Sequence, residues 1–494
     1  MMRDLHFPWL ELSILVPALA AVVLYKIRDQ RFAQQVAFWA SGLTVCLTIG
    51  EWIDFGTLGT FSAQDHGSLV RRLFGRDFFV VDELSAPLLP MTAILFSLTI
   101  LATMRSKAGR FSFWLVMASE AIILATLSCS FATVLILLLL LSTLPPWIEM
   151  RKRGSDTRVF AIYMSAHIAM LIVGIVLMRM WGQIPIISNT AAFLLVLSSL
   201  IRAGVFPAHS WIIDLFEKTT FGTALLFVAP MTGAYVVMRL VLPVVPVWAL
   251  HAVAVLALVT AVYAAGMSLV QFDARRFFAY LFLSHSSLVL AGLEIATPIG
   301  MTGALCIWLG TGLSLGGFAL ALRSVEARIG RISLAQYHGL FDHMPYLGSL
   351  FLLAGLASIG FPGSLAFVGM ELLVEGTVEV YPIVGMMIVL AAVLNGISVL
   401  RAYFRIFTGT RHVATISLSA RPAERFVVII IILLVLGAGV WPGAAVKSRY
   451  HAADILLKNR QATGIDHGSE TIEPDGQSAL DELLNIHEDE PAGH

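Results

Sequence analysis

Apolar stretches of about 20 residues recur from one end of the chain to the other, each long enough to cross a bilayer as a helix. They predict 14 membrane helices, near 5–25, 34–54, 84–104, 113–130, 131–150, 159–181, 187–206, 222–243, 248–270, 277–297, 300–322, 349–375, 382–407 and 424–446. The fourth and fifth are separated only by Ser128-Cys129-Ser130, because 111–148 is almost continuously apolar. The first run has Arg3 and Asp4 before it, Glu11 within it and Lys26, Arg28 and Arg31 after it, a charge order that suits a retained helix and not a cleaved signal. Segment 447–494 is polar and acidic on balance and is expected to be largely disordered. Within it, Ser478–Asp489 places Leu480, Leu483, Leu484 and Ile486 on one side of a short helix, as a solvated tail or a docking segment.

Composition agrees with the pattern. Of 494 residues 58% are hydrophobic and 13% charged, with a mean hydropathy of +0.85; soluble domains carry about 25% charged residues. The fold expected is an all-α polytopic membrane protein, and a soluble enzyme, a nucleic-acid binder and a secreted disulfide scaffold are excluded. Formal net charge is zero and points to no partner. Cys46, Cys129 and Cys306 lie far apart in apolar segments, without CxxC or CxxH spacing, so they read as small buried hydrophobes and not as metal, haem or iron–sulfur ligands.

Basic residues in the loops set the orientation. Loops after odd-numbered helices hold 20 lysines and arginines and those after even-numbered helices hold 5. Positive charge is retained in the cytoplasm, so both termini are expected outside it. Two blocks of five helices, 113–243 and 248–407, then enter the membrane from opposite sides as an inverted repeat. The fourth helix of each meets a proline after glycine and phenylalanine: Gly204-Val205-Phe206-Pro207 and Gly360-Phe361-Pro362-Gly363. Matched interruptions of this kind predict broken helices along an ion path. The expected division is a three-helix segment (1–110), two five-helix repeats (111–246 and 247–410), a last helix (411–446) and the tail (447–494).

Ionisable groups inside a membrane are costly and are functional candidates by default. Here they are Glu120, His167, Arg202, His209, Asp214, Glu217, His251, His285, Glu294, Glu371 and Arg401. A hydrogen bond between helices is the alternative role for each.

The segments around these residues resemble a known family. Phe206-Pro207-Ala208-His209-Ser210-Trp211 with Asp214 resembles the FPxHxWLPDA segment of the antiporter-like membrane subunits of respiratory complex I and Mrp cation/proton antiporters. Asp273-Ala274-Arg275-Arg276-Phe277-Phe278-Ala279-Tyr280, with Ser284-His285, is similar to its DxKRxxAYxSxSHMG stretch. Leu356 to Gly363 followed by Phe367-Val368-Gly369 resembles LxxxGLPGxxxFVGE, and Val81-Asp82-Glu83-Leu84-Ser85 resembles VDGLS. The order and spacing match from about 78 to 410, with the subunit-4 type nearest. The resemblance implies proton or cation translocation along a central axis of membrane lysines and glutamates, by a subunit that works among other membrane subunits.

This sequence departs from that axis. No acid stands near Leu138–Leu141, where the family has a glutamate; Met231 falls near a family lysine; Arg202 and Arg275 replace two others. The glutamate of FVGE corresponds to Met370, with Glu371 one residue later, about 100° around the helix. No lysine occurs between Lys218 and Lys447. Arginine holds its proton where a buried lysine releases it, so Arg202 and Arg275 can supply field but not relay. Glu120, His167, His251, His285 and Glu371 remain as relay candidates. Three functions stay open: an ion-translocating subunit, a non-conducting scaffold of the same assembly, and a coupling subunit for inorganic carbon uptake. No redox cofactor, metal or nucleic acid is expected; the lipid bilayer and a soluble redox or carbon-handling protein are the expected further partners.

Overall fold

Helices occupy all 14 apolar windows. In this computed structural model residues 3–104, 109, 111–294, 297–378, 381–410 and 417–462 are described. The chain opens with β1 (Arg3–Leu5), α1 (Trp9–Lys26), α2 (Gln30–Leu58), β2 (Ser62–Asp65), α3 (Leu69–Phe74), β3 (Val81–Asp82) and α4 (Leu88–Leu101). The first half continues through α5 (Phe113–Ser128), α6 (Ala132–Ser142), α7 (Leu144–Lys152), α8 (Arg158–Trp181), α9 (Pro185–Ala203), α10 (Ser210–Lys218), α11 (Phe221–Val228) and α12 (Thr232–Val236), which runs into a π-helical turn at Val237–Val241. The second half holds α13 (Val247–Val270), α14 (Ala274–Glu294), α15 (Pro298–Ile329), α16 (Pro345–Ser358), α17 (Leu365–Val378), α18 (Pro382–Phe407), α19 (Pro422–Val440) and α20 (Pro442–Ala462).

Among the described residues, eleven helical segments are long and apolar enough to cross a membrane. Leu88–Leu101, Phe113–Ser128 and Pro345–Ser358 are shorter apolar helices. The protein is therefore a multi-pass, mostly helical membrane protein. Its peripheral helices show lipid-facing chemistry: Trp39, Leu43 and Ile53 of α2 and Ile383, Met386 and Val393 of α18 are exposed. Helix α15, 32 residues long, is the opposite case, almost wholly buried between Gly300 and Val325.

Close approach of α15 and α17 depends on missing side chains. A Cβ on Gly369 would lie 2.7 Å from the backbone nitrogen of Ile307, and one on Gly303 would lie 2.4 Å from that of Leu373. In lipid, where apolar surface alone does not favour association between helices, such small-residue contacts supply the packing.

Both expected breaks are present. α9 ends at Gly204 with φ +74°, and α10 resumes at Ser210; α16 ends at Ser358, Gly360 takes φ +87°, and α17 resumes at Leu365. Three other features depart from the sequence reading. The expected single helix over 222–243 is broken at Ala229–Met231, where Pro230 removes a donor and Met231 adopts φ +50°. The window 131–150 divides at Thr143, ahead of Pro145 and Pro146. A three-stranded sheet pairs β1 with β2 in parallel and β2 with β3 antiparallel.

The expected disorder from 447 onward is also corrected over its first part. α20 extends to Ala462, held by polar contacts that a hydropathy scan does not register. Buried Arg449 donates to the Glu83 and Leu84 carbonyls, Ser448 Oγ to Glu83 (2.9 Å), and Arg460 to the Leu242 carbonyl (2.7 Å). The Ser478–Asp489 segment lies outside the described residues.

Gly369→Val should force α17 off α15 at a cost of about 1–3 kcal/mol, the usual penalty for overpacking. A lowered thermal unfolding midpoint of the detergent-solubilised protein is the expected result. Gly56→Ala, with nothing within 4 Å of the added Cβ, should leave that midpoint unchanged or slightly raised.

Candidate functional site

Buried polar groups gather where the helices break. His167 on α8 is fully buried, with Nδ1 2.9 Å from the Ser198 carbonyl on α9. A carbonyl only accepts, so Nδ1 carries the proton there; Ser198 Oγ in turn donates to the His167 carbonyl (2.9 Å). Nε2 is buried without a partner.

One turn further along α9, Arg202 is buried in the last helical turn before the break. It donates to Thr232 Oγ1 (2.6 Å) on α12, and its guanidinium lies 4.1 Å from the Phe227 ring centroid and 5.8 Å from that of Trp211. Trp211 Nε1 donates to the Ile201 carbonyl (2.9 Å), which ties α10 back across the break. Arg202, Trp211, Phe227, Met231, Thr232 and Ser286 line a small cavity with room for about one or two waters. Met231, the position that corresponds to a family lysine, thus fills the wall beside Arg202 with a thioether. The cation is held by a hydroxyl and two aromatic faces, and among the described residues no carboxylate pairs with it.

The second half repeats this theme with other residues. His285 on α14 is buried and its Nδ1 lies 2.8 Å from the Leu281 carbonyl. Nε2 is buried against the backbone of Ser358, at the end of α16, outside hydrogen-bonding geometry. Next to it, Ser284 Oγ donates to the Ala261 carbonyl on α13 (2.8 Å) and accepts from Asn395 Nδ2 on α18 (2.8 Å). Ser268 and Ser398 share a further hydrogen bond of 2.6 Å between α13 and α18. Ser284 and Asn395 therefore join α13, α14 and α18 next to His285, beside the second break.

The remaining sequence candidates are placed differently. His209 is half-buried between the rings of Phe206, Tyr263 and Tyr280. Asp214 pairs with Lys218 at 2.6 Å, and Glu217 with Arg276 at 3.5 Å. His251 is half-buried with Tyr381 6.0 Å away. Arg401 donates to the Gln271 carbonyl (3.2 Å), and the side chain of Glu294 lies outside the described residues. Arg275 binds Glu326 through both carboxylate oxygens and donates to the Phe216 and Thr219 carbonyls (2.8 and 2.9 Å). It closes the C-terminal end of α10 and works as a structural clamp.

Glu371 is exposed on α17. The burial expected of it is corrected: the one-residue offset from Met370 turns its side chain about 100°, away from the packed interior. Glu120, alone among the candidate acids whose side chains are described, is fully buried, on α5, where Oε1 accepts from Ser41 Oγ of α2 (2.9 Å) and Oε2 has no partner.

The sequence reading also passed over a group of acids at the end of α1 and α2 next to the sheet. Glu51 is buried with both carboxylate oxygens unpartnered. Glu11 accepts from Ser68 Oγ (2.6 Å) and the Val70 nitrogen (2.8 Å); Asp65 accepts from the Leu10 and Glu11 nitrogens (3.2 and 2.7 Å), anchoring the start of α1. Asp82 binds Arg239 at 2.6 Å. Burial works to raise the Asp82 carboxyl, but the Arg239 cation overrides it and holds the group below its ordinary value. Glu51 was missed because it stands close to a predicted helix end, where an acid ordinarily faces water.

A protein-family comparison matches residues 159–395 to the NADH:quinone oxidoreductase/Mrp antiporter transmembrane region. Over these residues the chain is similar to that family of antiporter-like membrane subunits. It is 29% identical over 248 residues to NADH-quinone oxidoreductase subunit M of Mycobacterium tuberculosis, covering 49% of this chain and 45% of that one. Against NAD(P)H-quinone oxidoreductase chain 4 of Prochlorococcus marinus it is 26% identical, over 94% of this chain and 95% of the relative. Its fold matches a chain of respiratory complex I from Thermus thermophilus (TM-score 0.80, 20% identity, 91% and 99% coverage). A chain of the Mrp complex from Dietzia matches with a TM-score of 0.78 at 17% identity, covering 92% and 98% of the two chains. The family match begins with α8, so the acid group formed by α1, α2 and the sheet lies outside it.

Burial raises the Asp65 carboxyl to about 6 against an ordinary 3.8, although the Glu11 and Leu10 nitrogens oppose the shift. A raised carboxyl binds more protons folded than unfolded, so stability should fall as pH rises between those two values and level off above. Thermal midpoints of the solubilised protein across this range test it. Asp65→Asn should flatten the slope and lower the plateau, because one of the two backbone nitrogens loses its acceptor.

Proposed function

We propose that this chain is a proton- or cation-translocating membrane subunit of a complex I-like or Mrp-like assembly, carrying ions through buried side chains and water. The observation that carries the reading is the placement of buried polar groups at the breaks. His167, Ser198, Arg202 and Thr232 stand at the first, and Ser284, His285 and Asn395 at the second. Unwound backbone at membrane depth is tolerated where it lines a protein-enclosed cavity, which is where ion paths form. The relatives named for quinone oxidoreduction and the fold-level matches to complex I and Mrp chains support work among other membrane subunits. Energy then comes from those partners, as this subunit is read as holding no redox centre of its own. Glu120, His167 and His285 are the groups assigned to proton exchange, with Arg202 providing field.

A non-conducting scaffold is favoured by three observations: Met231 stands at a lysine position, Arg275 is locked to Glu326, and Glu371 faces outward. Proton uptake by vesicles holding the assembled complex separates the two. Glu120→Gln should reduce flux roughly tenfold or more, His285→Phe less, because water can bridge the gap it leaves. Glu371→Gln should leave flux unchanged. Absence of flux in the unaltered assembly would select the scaffold.

Orientation follows the loop charges: we place the sheet, the Asp82–Arg239 pair and α20 outside the cytoplasm. Arg275–Glu326, Arg328–Glu424 and the Glu149–Thr220 contact then lie at the cytoplasmic end. In a variant lacking the exposed Cys46, His451→Cys should react with an impermeant thiol reagent in intact cells. Arg153→Cys should react only after permeabilisation.

A further inference from the structure

α2 has an arrangement that the translocation reading does not use. Most of its surface is apolar and outward-facing, yet its narrow buried stripe is polar over three turns: Ser41, Thr44, Thr48 and Glu51, each at most 1% exposed. Their spacing of three, four and three residues keeps them on one helix face. A carboxyl stands at each end of the stripe. Glu120 of α5 accepts from Ser41 at one end, and Glu51 itself forms the other, about 15 Å away along the helix.

The neighbouring atoms support a hydrated seam. Among the described residues, buried polar atoms with no protein partner include both oxygens of Glu51 and Oε2 of Glu120. These three atoms lie on two helices, α2 and α5, that pack against each other. Buried polar atoms are rarely left unmade, and water is the usual partner where protein supplies none. The charged groups bearing on Glu51 are Asp65, Asp82 and Asp54, with Arg239 held by Asp82. A carboxyl buried with no hydrogen-bond donor and no cation of its own costs less to bury neutral than charged.

We infer that Glu51 is a proton-binding site and that the Ser41–Thr44–Thr48 stripe is a proton path joining it to Glu120, separate from the breaks in the two helical halves. Its ligand is the proton alone. Protonated Glu51 gives its proton to a water or hydroxyl oxygen, which releases its own proton to the next group. One proton leaves Glu51 and one arrives on the Glu120 carboxylate, so no water is consumed and no charge is left between them. Hydroxyls one turn apart are separated by roughly 5–6 Å, so single waters bridge them. Thr44 and Thr48 meanwhile donate to the Ala40 and Thr44 carbonyls (3.1 and 3.0 Å) and leave oxygen lone pairs free for those waters.

This path deepens the translocation reading and rests on it; proton binding at Glu51 does not. Both are tested in the assembled complex in its membrane. Dicyclohexylcarbodiimide, which modifies protonated carboxyls in apolar surroundings, should label Glu51 at about pH 7 and less at alkaline pH, as read by peptide mass spectrometry. Thr44→Val with Thr48→Val keeps side-chain shape and removes both hydroxyls. It should cut proton flux roughly tenfold while Glu51 labelling and chain abundance persist, and Thr44→Ser with Thr48→Ser should restore flux. Absence of a Glu51 adduct while Glu120 is labelled would overturn the site. Unchanged flux in the valine pair would overturn the path and leave the translocation reading standing. If the unaltered assembly moves no protons, translocation fails and the path with it, while the adduct still decides whether Glu51 holds a proton.

Discussion

A helix interrupted inside a membrane releases backbone groups that no lipid can satisfy, and this constraint shapes the protein interior. At the first break, Gly204 and Val205 nitrogens turn back to the Ile201 and Leu200 carbonyls, and the Phe206 nitrogen donates to Thr260 Oγ1 on α13. At the second, the Phe361 nitrogen returns to Leu356, while Ser364 Oγ donates to Phe361 and Ser358 Oγ to Gly355. Each interruption thus needs hydroxyls and a glycine in the left-handed region nearby. Polar chemistry at membrane depth is drawn to the breaks by this need, and His167, Arg202 and His285 are found beside it.

What a sequence reveals of such a protein follows from which forces act locally. Hydropathy is local, so the apolar windows coincide with helices, and proline with glycine marks two breaks. Pro230 carried a comparable signal at the third break, but it was hidden in an unbroken apolar run, and only the tertiary fit of Met231 at φ +50° reveals it. α20 and the sheet were not legible because distant partners hold them. Arg449 finds the Glu83 carbonyl 366 residues away, and β1 pairs with a strand beyond α2. Resemblance identified Arg275 and Asp82 as notable positions, but their partners, Glu326 and Arg239, required the structure.

Replacing lysine by arginine and methionine along the family's axis changes the available chemistry more than the fold. A buried arginine stays cationic and needs diffuse stabilisation, which aromatic faces supply around Arg202. A permanent cation favours anionic neighbours and repels a passing proton, so it biases a path without carrying charge along it. Imidazoles with one tied and one free nitrogen, as in His167 and His285, retain the capacity to exchange a proton. In the translocation we propose, the two roles fall on different residues, where a lysine would combine them.

The acids of the N-terminal helices follow the same logic in reverse. A buried carboxyl with no cation of its own is costly when charged and cheap when neutral, which is the situation of Glu51 and of Glu120. Asp82, with Arg239 against it, is the charged counterexample, on β3 of the sheet itself. The Thr44 and Thr48 hydroxyls between the two acids cost little to bury, because each satisfies its own donor on the preceding turn of α2. An apolar stripe would have packed as well at less expense to specificity. A buried polar stripe ending in acids, on a helix whose other faces are apolar, is hard to account for by packing alone and is what a proton path requires.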